Sequence, residues 1–189
     1  MEQPYKGRAI INDNFIDLQI IIPVKENWFI ILLLGAWLCG WLIGETAALE
    51  EVSGVLGGNS VSFFIVFWLI AWTVGGFFAF RGFLWNLIGK EIITVGQNRL
   101  TIDKKGALFY KPKTYDLNEV KHVRIQDDNI GKGFFSGRND SGTFNSGGTI
   151  RFDYGLQTVK FAGGIDEAEA KFIVDKLKEK HLLTEKNYS

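Results

Sequence analysis

The sequence has little of what most catalytic and metal-binding sites are built from. Its 189 residues include one cysteine, Cys39, and two histidines, His122 and His181. A single thiol excludes an intrachain disulfide and a cysteine-based zinc cluster, and the histidines are far apart, without metal-ligand spacing. No serine, cysteine, histidine or carboxylate constellation matches a catalytic arrangement. We therefore predict a protein that is not an enzyme and that carries no metal or other cofactor.

An excess of charge of one sign is also lacking. The chain has 21 Lys+Arg and 21 Asp+Glu, so its formal net charge is zero. A balanced chain lacks the basic footprint of a nucleic-acid-binding protein, and we expect no nucleic acid among its partners. The first residues are polar and acidic rather than charged and then apolar, so we expect no cleaved signal peptide.

Charged side chains are absent from two long apolar runs, residues 27–44 and residues 60–80. As helices that rise ~1.5 Å per residue, the runs reach about 27 Å and about 32 Å, close to the ~30 Å hydrocarbon thickness of a bilayer. The second run is apolar on every face, and so small a protein has no core large enough to bury it. We predict transmembrane helices over 27–44 and 60–81, in preference to two buried helices of a soluble domain.

The residues that flank the two runs predict their orientation. The connecting segment, 45–59, contains glutamates but no lysine or arginine, whereas Lys25 precedes the first run and Arg81 follows the second. Positively charged flanks stay on the cytoplasmic side. We therefore predict an external loop at 45–59, both termini in the cytoplasm, and an interfacial stretch at 82–90.

Small residues recur at every fourth position of both runs and line one face of each predicted helix. Such faces let helix backbones approach closely in a bilayer. The first use we expect is packing of the two helices on each other as a hairpin, and dimerisation into a homo-oligomer is the alternative. The residues are Ala36, Gly40 and Gly44 in the first run and Ala71, Gly75 and Ala79 in the second.

After Lys90 the apolar residues alternate along the chain, which predicts short antiparallel strands separated by turns. The last part of the chain predicts one amphipathic helix, with Asp166 as its N-cap and Glu169 at capping-box spacing. The segments predicted as strands are EIITV, RLTID, ALFYKPKTYDL, VKHVRIQ, TIRFDY and LQTVKFA.

The N-terminal segment, residues 1–26, also contains an alternating stretch, FIDLQIIIP. Ile16, Leu18, Ile20 and Ile22 would share one face of a strand. Because a helical hairpin returns the chain to the side from which it left, we expect this strand to join the sheet formed by the C-terminal part of the chain.

The order of these elements resembles that of bacterial membrane proteins that carry a pleckstrin-homology-like (PH-like) domain. The resemblance rests on a two-helix hairpin followed by strands, on the stretch YDLNEVKHVRI (115–125), and on the closing hairpin and helix TIRFDYGLQTVKFAGGIDEAEAKFIVDKLK (149–178). It implies an α+β membrane protein in which residues 82–189 form a cytoplasmic PH-like antiparallel β-barrel or sandwich, capped by a C-terminal helix. It also implies a multi-pass protein of the bacterial cytoplasmic (inner) membrane.

Two groups of residues are candidates for contact with the membrane or with a partner. The glycine- and serine-rich segment 127–148 is predicted to be a flexible loop, and its GKG lacks the spacing of a phosphate-binding loop. Its aromatic and basic residues are predicted to touch the bilayer surface or a partner. Lysines on the neighbouring strands are predicted to face the anionic inner leaflet, with solvated strand edges as the alternative. The candidates are Phe134, Phe135, Phe144, Lys132 and Arg138 in the loop, and Lys104 and Lys105 on a strand.

Together these patterns favour a non-catalytic, membrane-anchored binding module on the cytoplasmic face. Such a module would recruit or regulate a protein partner or sense the lipid surface, so membrane lipids and one protein are the expected partners. The alternative is an accessory structural subunit that assembles into a larger membrane complex through its helical hairpin.

Overall fold

A computed structural model describes residues 7–14, 16–55, 63–126, 148–184 and 187–188. The chain divides into two compact units. We call Met1–Lys25 together with Ile88–Ser189 the β unit, and Glu26–Leu87 the helical unit.

The helical unit consists of two long apolar helices, α1 (Trp28–Val55) and α2 (Phe63–Ile88). Asn27 caps α1, because its side-chain oxygen accepts a hydrogen bond from the N–H of Ile30 at 3.3 Å. Both helices are long and apolar enough to cross a membrane. Among the described residues, these are the two helices that meet this criterion.

Both helices extend beyond the apolar runs that predicted them. Helix α1 continues past Gly44 into the segment predicted to be an external loop, and α2 continues past Arg81 to Ile88. The segment after Gly44 reads ETAALEE, and alanine, leucine and glutamate are strong helix formers. The first charged residue therefore marks the end of an apolar surface and not the end of a helix.

The two helices contact each other through tryptophans and one buried glycine, Gly76. A Cβ atom on Gly76 would clash with the indole ring of Trp41, whose Nε1 donates a hydrogen bond to the carbonyl oxygen of Trp72 at 3.2 Å. One turn along α1, the carboxylate of Glu45 accepts a hydrogen bond from Thr73 Oγ1 at 2.6 Å. Glycine is needed at position 76 because the Trp41 indole occupies the space that a side chain would take.

The predicted small-residue faces do not match this contact. Of the six residues, Gly44 is the one whose Cβ would reach the Trp72 ring, at 3.8 Å, whereas a Cβ on Gly40 or Gly75 would have no neighbour within 4 Å. At the contact, the Trp41 indole lies beside Gly76 and the Trp72 indole lies beside Gly44. Ala79 is half-buried, and Ala36, Gly40, Ala71 and Gly75 are exposed.

Five antiparallel strands of the β unit form one sheet, in the order β1-β2-β3-β4-β5. The N-terminal strand is confirmed as part of this sheet: Ile20 in β2 lies opposite Ile93 in β3, which lies opposite Ile102 in β4, and all three side chains are buried. Ile16 precedes β2 and is 68% exposed, contrary to prediction. The strands are β1 (Ile10–Asp13), β2 (Asp17–Pro23), β3 (Lys90–Gly96), β4 (Arg99–Lys105) and β5 (Lys113–Asp116).

Three further antiparallel strands form a second sheet, β6 (Val120–Ile125), β7 (Gly148–Tyr154) and β8 (Gln157–Gly163), followed by helix α3 (Glu167–Glu179). Asp166 is the N-cap of α3, as predicted, since its side chain accepts a hydrogen bond from the N–H of Glu169 at 2.8 Å. The apolar face of α3 and the inner faces of both sheets share one core, which includes Ile93, Phe152 and Ile173.

In the described residues the two sheets do not close into the predicted barrel. Closure would require β8 to pair with a free edge of the five-stranded sheet. The edge strands of that sheet are β1 and β5, and neither pairs with a strand of the three-stranded sheet. The β unit is therefore two antiparallel sheets with a helix on the shared core, and the α+β fold class is confirmed in this coarser form.

Candidate functional site

The chain leaves for the helical unit and returns from it at one end of the five-stranded sheet. Pro23, the last residue of β2, lies opposite Lys90, the first residue of β3, and Lys90 lies opposite Lys105, the last residue of β4. The N–H of Val24 donates a hydrogen bond to the carbonyl of Gly89 at 3.0 Å. We call this end of the sheet, marked by Pro23, Lys90 and Lys105, the root of the β unit.

A buried acidic residue and a buried basic residue lie next to each other at the root. Glu91 is 5% exposed and Lys104 is 9% exposed, and the two are direct partners across β3 and β4. A carboxylate oxygen of Glu91 accepts a hydrogen bond from the N–H of Gly163, at the end of β8, at 3.0 Å. Burial raises the pKa of Glu91, and the charge of Lys104 opposes this rise. Glu91 thus joins the two sheets at a place where their backbones do not pair.

The structure places the two candidate lysines of β4 in different environments. Lys105 is exposed, whereas the buried Nζ of Lys104 lies 5.9 Å from the centroid of the Tyr110 ring. Burial, followed by the neighbouring Tyr115, Glu91 and Asp103, raises the pKa of Tyr110 to about 12. Lys104 is therefore part of the interior, and Lys105 alone of this pair is available to a lipid surface.

The loop between β4 and β5, residues 106–112, presents an aromatic side chain at the root. A Cβ on Gly106 would lie 3.0 Å from the Cα of Gly89, so the loop starts against the residue that follows α2. Phe109 is 83% exposed and has a left-handed backbone, with φ +64°. The strand predicted for ALFYKPKTYDL is wrong over this loop, because Gly106 turns the chain and Pro112 cannot donate a ladder hydrogen bond.

The loop candidates lie outside the described residues. The candidates fall between Gln126, which follows β6, and Gly148, which begins β7. The N–H of Gln126 donates a hydrogen bond to the carbonyl oxygen of Thr149 at 2.9 Å. The structure does not describe the five candidate residues between these two strands. Their contacts with lipid or with a partner stay predictions. These residues are Phe134, Phe135, Phe144, Lys132 and Arg138.

A second polar site lies on the three-stranded sheet, centred on Asp153. Its carboxylate accepts two hydrogen bonds from the guanidinium of Arg124, at 2.9 and 3.1 Å, and one from Thr158 Oγ1 at 2.8 Å. Nδ1 of His122 lies 3.2 Å from the same carboxylate. His122 has φ +50° and interrupts the register of β6 and β7, which turns its exposed ring toward Asp153. The alternating pattern did not reveal this bulge.

These residues line an open groove of about 660 Å³ at the turn between β7 and β8. Lys121 and Gln157 add polar atoms, and Leu156 in the turn is fully exposed. Arg124 is occupied by Asp153, and the groove lacks a nucleophile next to a base. Within the described part of the chain, no three or more His, Cys, Asp or Glu side chains are grouped to hold a metal ion. The groove can therefore offer hydrogen bonds and one apolar contact to a partner.

The Asp153 cluster predicts an acid-sensitive contribution to stability. Hydrogen bonds from Arg124 and Thr158 lower the pKa of Asp153 from 3.8 to about 2. Because the folded pKa is depressed, the stabilisation is complete above about pH 4 and is lost as the pH falls toward about 2. We expect Asp153→Asn to lower the melting temperature at pH 6 but to leave it near the wild-type value at pH 2. Melting temperatures of both proteins, measured over this pH range, test the prediction. Thr158→Ala removes one hydrogen bond to Asp153 and should show a smaller effect of the same kind. A difference in melting temperature that does not depend on pH would contradict the prediction.

No family model matches the chain, and no curated protein matches it. What the structure defines is an α+β chain in which two apolar helices, each long enough to cross a membrane, interrupt a sheet between two paired strands. Among its described residues, Lys105 and Phe109 at the root and Leu156 in the Asp153 groove are exposed.

Proposed function

We propose that the protein is a membrane-anchored binding module without catalytic activity. The observation that carries this proposal is the pairing of β2 with β3 along their whole length, from Asp17 opposite Gly96 to Pro23 opposite Lys90, with both helices between them in sequence. Two strands can pair only on the same side of a membrane. An even number of crossings is therefore required, which supports a helical hairpin with both termini on one side.

Charge and element order complete the proposal. Lys25 and Arg81 flank the apolar segments on the side of the β unit, which favours the cytoplasmic face of a bacterial inner membrane. Two antiparallel sheets followed by a C-terminal helix over a shared core support a PH-like domain, to which β1 is an additional strand. Fold alone does not define a ligand. The exposed Asp153 groove is the feature that supports a binding role.

The Asp153 groove is the surface that we assign to a protein partner. Leu156 is a fully exposed leucine beside a rim of hydrogen-bonding side chains, and an apolar contact within a polar rim is typical of protein interfaces. We expect a protein to co-purify in stoichiometric amount with the full-length chain from native membranes in mild detergent.

Two variants make this experiment specific. We expect Leu156→Asp to reduce recovery of the co-purified protein about tenfold or more, the scale of one lost anchor residue. Ile10→Asp, a matched change at an exposed isoleucine on β1, is expected to keep it. Equal recovery with both variants would rule out the groove as the contact surface, and recovery of no protein at all would contradict partner recruitment.

A second candidate function is an accessory subunit that assembles through its helices. The observation in its favour is that Ala36, Gly40, Ala71 and Gly75 are exposed on the helical unit, where another helix can pack closely. Exchanging the hairpin for an unrelated two-helix anchor separates the two functions. A binding module keeps its co-purified protein after the exchange, whereas an accessory subunit loses it.

A further inference from the structure

We propose that the root of the β unit is itself a lipid-binding surface, in which Phe109 enters the interfacial layer of an anionic leaflet and the surrounding lysines bind headgroup phosphates. The proposal rests on the membrane anchoring argued above and adds a defined contact between the β unit and the bilayer. Neither the length nor the apolar character of α1 and α2 requires such a contact.

The position of the loop is fixed by the covalent path of the chain. Helix α2 ends at Ile88, and Lys90 already belongs to β3. Two residues span at most about 7 Å, so the start of β3 lies close to the end of a helix that enters the bilayer. A Cβ on Gly106 would lie 3.0 Å from the Cα of Gly89 and 3.1 Å from the carbonyl oxygen of Ile88, so the β4–β5 loop begins beside the residues that join α2 to β3.

The charges of the root are arranged unfavourably unless they face an anionic surface. Lys90 and Lys105 are exposed and directly opposite each other, and like charges at opposed positions of a sheet repel. Of the acidic residues nearby, Glu91 is buried opposite Lys104, Asp103 is half-buried, and Glu26 is exposed next to Lys25, so exposed lysines outnumber exposed acidic residues at this end. Phosphates of an anionic leaflet attract basic residues near the surface. The other exposed lysines of this end are Lys25, Lys111 and Lys113.

Phe109 is exposed and has a left-handed backbone conformation. A left-handed backbone is rare for a bulky residue and is retained where the surrounding structure imposes it. Here it accompanies a phenylalanine that is 83% exposed, in a loop that also contains Lys111. An aromatic residue beside lysines is the combination favoured at the boundary between headgroups and acyl chains. If α2 crosses a bilayer as proposed, it ends one residue before β3 and beside the start of this loop, so an anionic bilayer surface is the partner that we assign to it.

The test places a fluorescent reporter on the loop of the full-length protein. In a Cys39→Ser background, Phe109→Cys or Leu156→Cys is labelled with a nitrobenzoxadiazole dye and incorporated into nanodiscs. The discs contain phosphatidylcholine alone or an equal mixture with phosphatidylglycerol, and each carries a lipid with a nitroxide near its headgroup. Lys111→Cys is a second reporter position that leaves Phe109 in place. Leu156, in the groove, is the matched control.

We expect nitroxide quenching at positions 109 and 111 to exceed that at position 156 about threefold or more, as insertion into the interfacial layer requires. Phosphatidylglycerol should increase quenching at both loop positions, and Lys105→Glu should remove the increase. Equal quenching at 109, 111 and 156 would overturn the proposal. Quenching that is insensitive to phosphatidylglycerol would overturn the role of the lysines.

The same sample shows which proposal has failed. All six tryptophans lie in α1 and α2, so their quenching by the nitroxide lipid reports insertion of the helices independently of the dye. Quenched tryptophans with an unquenched dye at 109 and 111 would leave the anchored module standing and refute the root contact. Unquenched tryptophans would refute membrane anchoring, and the root contact with it.

Discussion

Replacing Glu91 by alanine is expected to lower the free energy of unfolding of the β unit by about 3–5 kcal/mol, the cost of removing one partner from a buried charge pair. The change removes the carboxylate opposite buried Lys104 and the acceptor for the N–H of Gly163. It therefore weakens the link between the two sheets as well as the pair itself.

Hydrogen exchange on the full-length protein in detergent measures this effect, since the amides of β3 and β8 report opening of the β unit. Asp103→Ala, at a half-buried position one residue from Lys104, is the control, for which we expect a change of about 0.5 kcal/mol or less. Adding Lys104→Met to Glu91→Ala should recover part of the loss, because the buried charge is then removed. Equal protection in Glu91→Ala and the control would contradict the role of Glu91.

Replacing Gly76 by valine is expected to destabilise the helix pair by about 1–3 kcal/mol, the range for overpacking a filled site. The new Cβ would overlap the indole of Trp41, which is fixed by its hydrogen bond to the Trp72 carbonyl. The ring must leave its place, and the hydrogen bond is lost with it.

The adjacent Gly75 provides a matched control, because a Cβ there would have no neighbour within 4 Å. Gly75→Val has the same effect on helix propensity but adds no clash. Thermal unfolding in detergent, followed by tryptophan near-ultraviolet circular dichroism, should separate the two variants. If Gly75→Val were the more damaging change, the helices would contact each other through the small-residue face that the sequence predicted.

The strands of the β unit were largely predictable because burial of one face imposes a strict alternation. Leu18, Ile20 and Ile22 follow this rule and are buried in β2. The same rule would also have placed two charged residues, Glu91 and Lys104, in the interior. Glu91 has the parity of the buried Ile93, and Lys104 has the parity of the buried Ile102, so both charges belonged to the interior by position.

Other features depend on information that no local pattern contains. The choice between Gly75 and Gly76 as the contact residue is decided by where Trp41 reaches across from the other helix. Closure of a barrel depends on whether the edge strands β1 and β5 pair with the three-stranded sheet, and in the described residues neither does. The loop at Phe109 was missed because its apolar residues, ALFY, were assigned to the strand that follows them.

The insertion of both helices between β2 and β3 also sets an order of events during synthesis. Strand β2 leaves the ribosome with Leu18 and Ile20 destined for a core, but its partner β3 follows only after the entire helical unit. If only one helix entered the bilayer, β3 would emerge on the wrong side and the sheet could not assemble. On the proposed topology, the β unit would be completed only in a chain whose two helices both crossed the membrane, and a misinserted chain would leave β2 without its partner β3.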